Sequence, residues 1–136
     1  MEKIKVYLDM DGTIADLYGI ENWLPRLRAE DEEIFLECKP LITEQTLLER
    51  FPADKYDIRI LTMTPKDCSD AYHENVKAQK MAWLEKFFPS LTKQIYMRYG
   101  NNKNLKNSMH AILIDDSEPI RSTWKGTALN PIEIWG

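Results

Sequence analysis

Asp9 and Asp11 stand two residues apart in Asp9-Met10-Asp11-Gly12-Thr13, directly behind the apolar run Ile4, Val6, Tyr7, Leu8. Aspartate and glycine are poor strand residues, so a buried strand should stop there. At strand spacing the two carboxylates project from the strand end toward one side. A close pair of carboxylates attracts a hard divalent cation, and magnesium (Mg2+) suits it best. With the charge offset, one carboxylate can attack phosphorus while the other moves protons. Taken alone, the same residues could be an ordinary turn or a calcium loop. An EF-hand loop begun at Asp9 would need a glutamate where Ile20 stands.

Two further strand ends carry suitable groups. The run Tyr56 to Leu61 leads into Thr62-Met63-Thr64-Pro65. A hydroxyl there can donate to an anion, and Pro65 turns the chain out of a sheet. The run Ala111 to Ile114 leads into Asp115-Asp116. Paired carboxylates behind so apolar a strand are costly unless a cation or hydrogen bonds compensate them.

In this order the residues resemble the haloacid-dehalogenase-like (HAD) phosphohydrolases, whose first motif is DxDGT after a hydrophobic strand. The resemblance covers about Lys3 to Leu129 and is sparsest over Leu17 to Phe51. It implies that Asp9 is the nucleophile and Asp11 the proton donor and acceptor. Aspartate at that second position goes with the family's phosphatases, whereas its phosphate-transferring ATPases carry threonine. It further implies that Thr62, with Met63 and Thr64 beside it, holds a phosphate oxygen. Asp116 would be a direct magnesium ligand beside Asp9 and the Asp11 backbone carbonyl, and Asp115 would support it. The family's third motif is a lysine that offsets charge on the phosphorylated aspartate. Lys103, in the loop Arg98-Tyr99-Gly100-Asn101-Asn102-Lys103, matches it, with Lys106 as the alternative. The segment QKMAWLEKFF resembles the 5'(3')-deoxyribonucleotidase branch, in which Lys80 would face the phosphate. On residue type alone, Lys80 reads equally well as a solvated helix lysine.

The elements that must position these groups alternate between strand and helix. Thr43 caps a short helix over Glu44 to Arg50. Ser69 or Asp70 opens a long helix that Pro89 ends near Phe88, with His73 on its surface. Gln94 to Met97 is a short strand, Glu118 to about Trp124 a short helix, and Gly126 to Leu129 a last strand. Ile132, Ile134 and Trp135 then pack back on the core. Such alternation predicts an α/β domain with a Rossmann-like parallel sheet flanked by helices. The resemblance narrows this to a HAD-like fold spanning residues 1–136, with a minimal cap over roughly 17–43. Only about 50 residues separate the first two motifs, so any cap is small. Within it, Glu30 to Glu33 reads as a solvated helix start. Tyr18, Trp23 and Phe35 read as core packing or as the lining of a substrate pocket.

The chain of 136 residues is long enough for one sizeable core. Its net charge of −4 argues against broad binding to nucleic-acid backbones. A small phosphorylated partner stays compatible, because a local cation and a lysine or two outweigh that charge. The two cysteines, Cys38 and Cys68, form no disulfide framework and no ligand pattern, which predicts reduced thiols and a cytoplasmic setting. No signal peptide and no membrane-length apolar run are expected. Function is thus expected to be magnesium-dependent hydrolysis of a phosphomonoester, with a nucleoside monophosphate, such as a deoxyribonucleotide, leading. The alternatives are another small or macromolecular phosphate ester, a phospho-receiver domain, and a non-catalytic binding domain. A receiver would carry its acidic pair after the first strand and its phosphorylated aspartate after the third, an order this chain lacks.

Overall fold

The computed structural model describes residues 2–99 and 109–135. Five strands, β1 (Ile4–Leu8), β2 (Tyr56–Thr64), β3 (Ile95–Tyr99), β4 (Ile112–Ile114) and β5 (Thr127–Leu129), form one sheet. Every pairing is parallel and the order is β3-β2-β1-β4-β5. This is an α/β Rossmann-like sheet with β1 at its centre. The chain builds outward from β1 through β2 to β3, then returns to lay β4 on the other side of β1. The crevice beyond the carboxyl ends of β1 and β4 is therefore the topological switch point, where such sheets bind ligands.

A parallel sheet is covered on both faces, so its strands are apolar on both. Val6 and Leu8 of β1 pack with Ile60 and Ile114 on one face. Tyr7 points to the other, with Leu61, Leu113 and Trp124. The first face is covered by helix α3 (Asp70–Phe87), the second by Trp124 at the end of helix α4 (Glu118–Thr123).

The Ser69 hydroxyl caps α3 by accepting the Tyr72 amide at 3.1 Å, satisfying one of the helix's open donors. The buried positions of α3 are Tyr72, His73, Val76, Gln79, Lys80, Trp83 and Leu84. They recur at three and four residues and form one stripe. His73, expected at the surface, lies in that stripe and is buried. β2 runs on through Thr64, because Thr62 and Thr64 stay in register with Met97 and Tyr99 of β3.

Between β1 and β2 lie helices α1 (Trp23–Arg28) and α2 (Glu44–Arg50). Thr43 caps α2 through the Thr46 amide at 3.1 Å, as its sequence predicts. Pro25 is accommodated in the first turn of α1, where its missing N–H costs nothing. The acidic run Glu30 to Glu33 is not a helix start. Asp31 instead accepts from Arg26 Nε at 2.7 Å and from the Glu33 amide at 2.8 Å, closing a local turn.

Residues 17–43 are stitched to α3. Glu30, at a left-handed φ of 56°, accepts from the Ser69 amide at 2.9 Å and its hydroxyl at 2.7 Å. The Tyr72 hydroxyl donates to the Asp31 carbonyl at 2.7 Å, and the Phe35 amide donates to Gln79 Oε1 at 2.8 Å. Trp83 Nε1 donates to the Cys38 carbonyl at 2.7 Å. Helix α5 (Pro131–Ile134) follows β5, and Trp135 behind it donates to the Thr13 carbonyl at 3.1 Å. Among the described residues no helix is long and apolar enough to cross a membrane.

Candidate active site

The site begins with a tight turn after β1. The Met10 carbonyl accepts the amides of Thr13, Ile14 and Ala15 at 3.1, 2.9 and 2.9 Å. Gly12 sits at φ 80°, a left-handed conformation that suits glycine. A Cβ on it would also lie 2.7 Å from Asp116 Cγ and 2.7 Å from Tyr18 Cε2. Hydrogen at this position is what lets Asp116 and the Tyr18 ring approach the loop.

Asp9 is fixed twice. Its amide donates to the Ile114 carbonyl at 3.0 Å, and its Oδ2 accepts the Thr13 hydroxyl at 2.9 Å. Trp135, by holding the Thr13 carbonyl, adds a third tie from the far end of the chain. Across the crevice, Asp115 accepts the Ser117 amide through Oδ1 at 2.9 Å, and its carbonyl accepts Arg121 Nη1 at 3.0 Å. Carboxylate oxygens of Asp9, Asp115 and Asp116 lie within 4.8 Å of one another. Burial first, then the charges of Asp9 and Asp115 with a hydrogen bond to Asp9, push the Asp116 carboxyl up to about 8. Like charges so close cannot all ionise without compensation. An all-carboxylate oxygen set that resists full ionisation is what a hard divalent cation fits. Tyr18, half-exposed above the loop, is pushed well above the usual phenol range by burial first and then by the charges of Asp11, Asp116, Asp9 and Asp115.

Asp11 lies apart from that cluster. Its Oδ2 is 2.9 Å from Lys80 Nζ, and its Oδ1 is buried with no hydrogen-bond partner among the described residues. Lys80 is fully buried and also donates to Thr62 Oγ1 at 2.7 Å and to the Met63 carbonyl at 2.7 Å. The Phe35 ring centre lies 4.9 Å from the same ammonium. Thr62 is thus fully buried against Lys80, whereas Thr64, two residues on, lines a cavity with Asp11.

That cavity holds about 360 Å³, and Tyr18, Trp23, Phe35 and Met63 also line it. Tyr18 and Trp23 meet edge to face with ring centres 4.8 Å apart. All three aromatic residues with two sequence readings therefore reach it. A second cavity of about 430 Å³ opens on Gly12, Thr13 and Asp116, between Leu41 and Trp135. A third, of about 560 Å³, lies by the amino end of β1 among Lys3, Lys5 and Asp57. It is at the wrong end of the sheet for this chemistry, so size is a poor guide here.

Asp9, Asp11, Thr62, Met63, Thr64, Lys80, Asp115 and Asp116 thus converge at the carboxyl ends of β1, β2 and β4. Lys103 and Lys106 lie outside the described residues. Lys80 is a helix interior residue and not a solvated one. Its signal is the spacing Tyr72, Val76, Lys80, Leu84, which places a lysine four residues from apolar neighbours on each side. No local signal marks Trp135 as a neighbour of Thr13.

No family model, no curated protein and no solved structure matches this chain.

Proposed function

We propose that this chain is a HAD-like phosphomonoester hydrolase that works through an aspartyl phosphate on Asp9. One observation carries the reading: the two carboxylates of Asp9 and Asp11 sit in separate surroundings. Asp9 belongs to a carboxylate cluster at the switch point, while Asp11 faces a buried lysine and an aromatic-lined cavity. Two carboxylates with different surroundings suit two different tasks.

In the first half-reaction an Asp9 oxygen attacks phosphorus, and Asp11 gives a proton to the departing alcohol. In the second, Asp11 takes a proton from water as the water oxygen attacks the phosphorus of the aspartyl phosphate. Thr13 holds Asp9 in place through its hydroxyl. Asp9, Asp116 and the Asp11 backbone carbonyl would hold magnesium. Asp115, already engaged by the Ser117 amide, would support that set. Bound there, the cation supplies neutralisation of phosphoryl charge. Lys103, on the same reading, is the lysine that meets the phosphoryl group.

The cavity beside Asp11 supports a ring-bearing alcohol as leaving group, and a nucleoside monophosphate, such as a deoxyribonucleotide, is the leading substrate. Tyr18, Trp23 and Phe35 give it the faces on which planar groups pack. A second reading, a larger or macromolecular phosphate ester, is favoured by the separate cavity on the Asp116 side.

The test is phosphate release from p-nitrophenyl phosphate, nucleoside monophosphates, sugar phosphates and phosphopeptides, with and without magnesium. Release that needs magnesium and is lost in Asp9→Asn is the expected result. Absence of release from every ester by folded protein would overturn the hydrolase reading in favour of a binding domain.

A further inference from the structure

We infer that Lys80 is a positioning residue that anchors the Asp11 carboxylate, and that it does not receive the phosphoryl group. An ammonium has three N–H bonds to give. Lys80 gives one each to Asp11 Oδ2, Thr62 Oγ1 and the Met63 carbonyl, at 2.9, 2.7 and 2.7 Å. Its side chain has no exposed surface, and the Phe35 ring packs against it. To meet a phosphoryl oxygen it would have to abandon one acceptor. Each candidate is costly, because a buried acceptor that loses its donor keeps its full desolvation penalty. The cage is therefore complete without substrate.

The consequence falls on Asp11. Its two oxygens are divided: Oδ2 is tied to Lys80, while Oδ1 has no hydrogen-bond partner among the described residues and is the one left to do chemistry. Rotation that exchanged the two oxygens would have to break the contact between Lys80 and Oδ2. On the phosphohydrolase reading, on which this kinetic consequence rests, Oδ1 is the atom that carries the proton. As the bond from Asp9 to phosphorus forms and the bond to the leaving oxygen breaks, that oxygen takes the proton from Oδ1. When water attacks phosphorus and the Asp9–phosphorus bond breaks, the water proton returns to Oδ1. Lys80 makes and breaks no bond in either half.

A phosphate ligand and an anchor for the acid differ in what they do to different leaving groups. p-Nitrophenolate departs without a proton, whereas an alkyl alkoxide needs one. Lys80→Met keeps the stem and removes the charge. In that variant kcat/KM for glycerol phosphate should fall about 10-fold or more beyond the fall for p-nitrophenyl phosphate. Inhibition by inorganic phosphate should stay within about 2-fold. Equal losses on both esters, with weaker phosphate inhibition to match, would overturn the inference.

Because the substitution is in the interior, a second measurement uses the side chain as it stands. A buried, triply bonded ammonium exchanges its hydrogens slowly and gives a resolved proton–nitrogen signal. The Lys80 signal should be present without phosphate, move in Asp11→Asn, and keep its position when phosphate and magnesium are added to the unsubstituted protein. Absence of that signal, or a large displacement by phosphate, would overturn the anchor. If the unsubstituted protein turned over neither ester, the hydrolase reading would fall, and the ammonium spectrum would still decide for or against the anchor.

Discussion

Replacing Gly12 by alanine tests the geometry of the turn after β1 more sharply than replacing any of its acids. Two costs add. Alanine at φ 80° pays the left-handed penalty of about 1–2 kcal/mol. Its methyl would also stand 2.7 Å from Asp116 Cγ and from Tyr18 Cε2. Non-bonded carbons prefer roughly 3.5–4.0 Å, so each neighbour must withdraw by about 1 Å. Tyr18 is half-exposed and can swing outward at little cost. Asp116 is confined by Asp9 and Asp115, so it moves only by leaving the cluster. The sum is about 2–3 kcal/mol, or roughly 6–12 °C in Tm for a domain of this size. Thermal unfolding by circular dichroism without metal reads the stability. The rise in Tm on adding magnesium reads the cluster and should shrink in the variant. Gly12→Asn separates the two costs, since asparagine tolerates the left-handed region but still displaces Asp116. A Gly12→Ala protein melting within about 1 °C of the parent, with its magnesium response intact, would refute the turn described here.

Two other expectations follow from the same site. The Asp116 carboxyl, pushed up to about 8, holds a proton over a range in which its unfolded counterpart, near 3.9, does not. Stability of the metal-free protein should therefore fall as pH rises from about 4 to about 8, with a slope below about 1.4 kcal/mol per unit because solvent screens this partly buried group. Urea titrations at several pH values check it, and an equal slope in Asp116→Asn would exclude Asp116 as the source. Trp23→Ala removes one wall of the aromatic cavity and should raise KM for a nucleoside monophosphate by about 5-fold or more while leaving glycerol phosphate nearly unchanged. Equal effects on both esters would show that the cavity does not receive the leaving group.

Much of this could be seen in the residues alone. A parallel sheet writes its strands as short apolar runs, and a candidate site residue follows each of three: Asp9 after Leu8, Thr62 after Leu61, Asp115 after Ile114. Helix caps were equally legible, because Thr43 and Ser69 act on amides three residues away. What escaped depended on distant partners. β2 reaches Thr64 through pairing with β3, past the end of the apolar run at Leu61. His73 is buried because it falls on the α3 stripe, although its own residue type favours the surface. Glu30 to Glu33 fails as a helix start because Arg26 and Ser69 claim Asp31 and Glu30 first. Lys80 had two readings of equal weight, since helical spacing says which face a lysine is on but not what waits for it there.

The placement of β1 has a consequence for how the protein comes into being. The strand that bears Asp9 is made early, yet one of its two flanking strands is β4, and the Asp9 amide is held by Ile114. The Thr13 carbonyl waits longer still, for Trp135, 122 residues downstream. Contacts so distant in sequence must close large loops before they repay the entropy, which slows folding. A nascent chain emerging from the ribosome could assemble β1, β2 and α3 as a hydrophobic unit well before the carboxylate cluster exists. On the reading proposed above, metal affinity should then arrive only once β4 has joined β1 and carried Asp115 and Asp116 to Asp9.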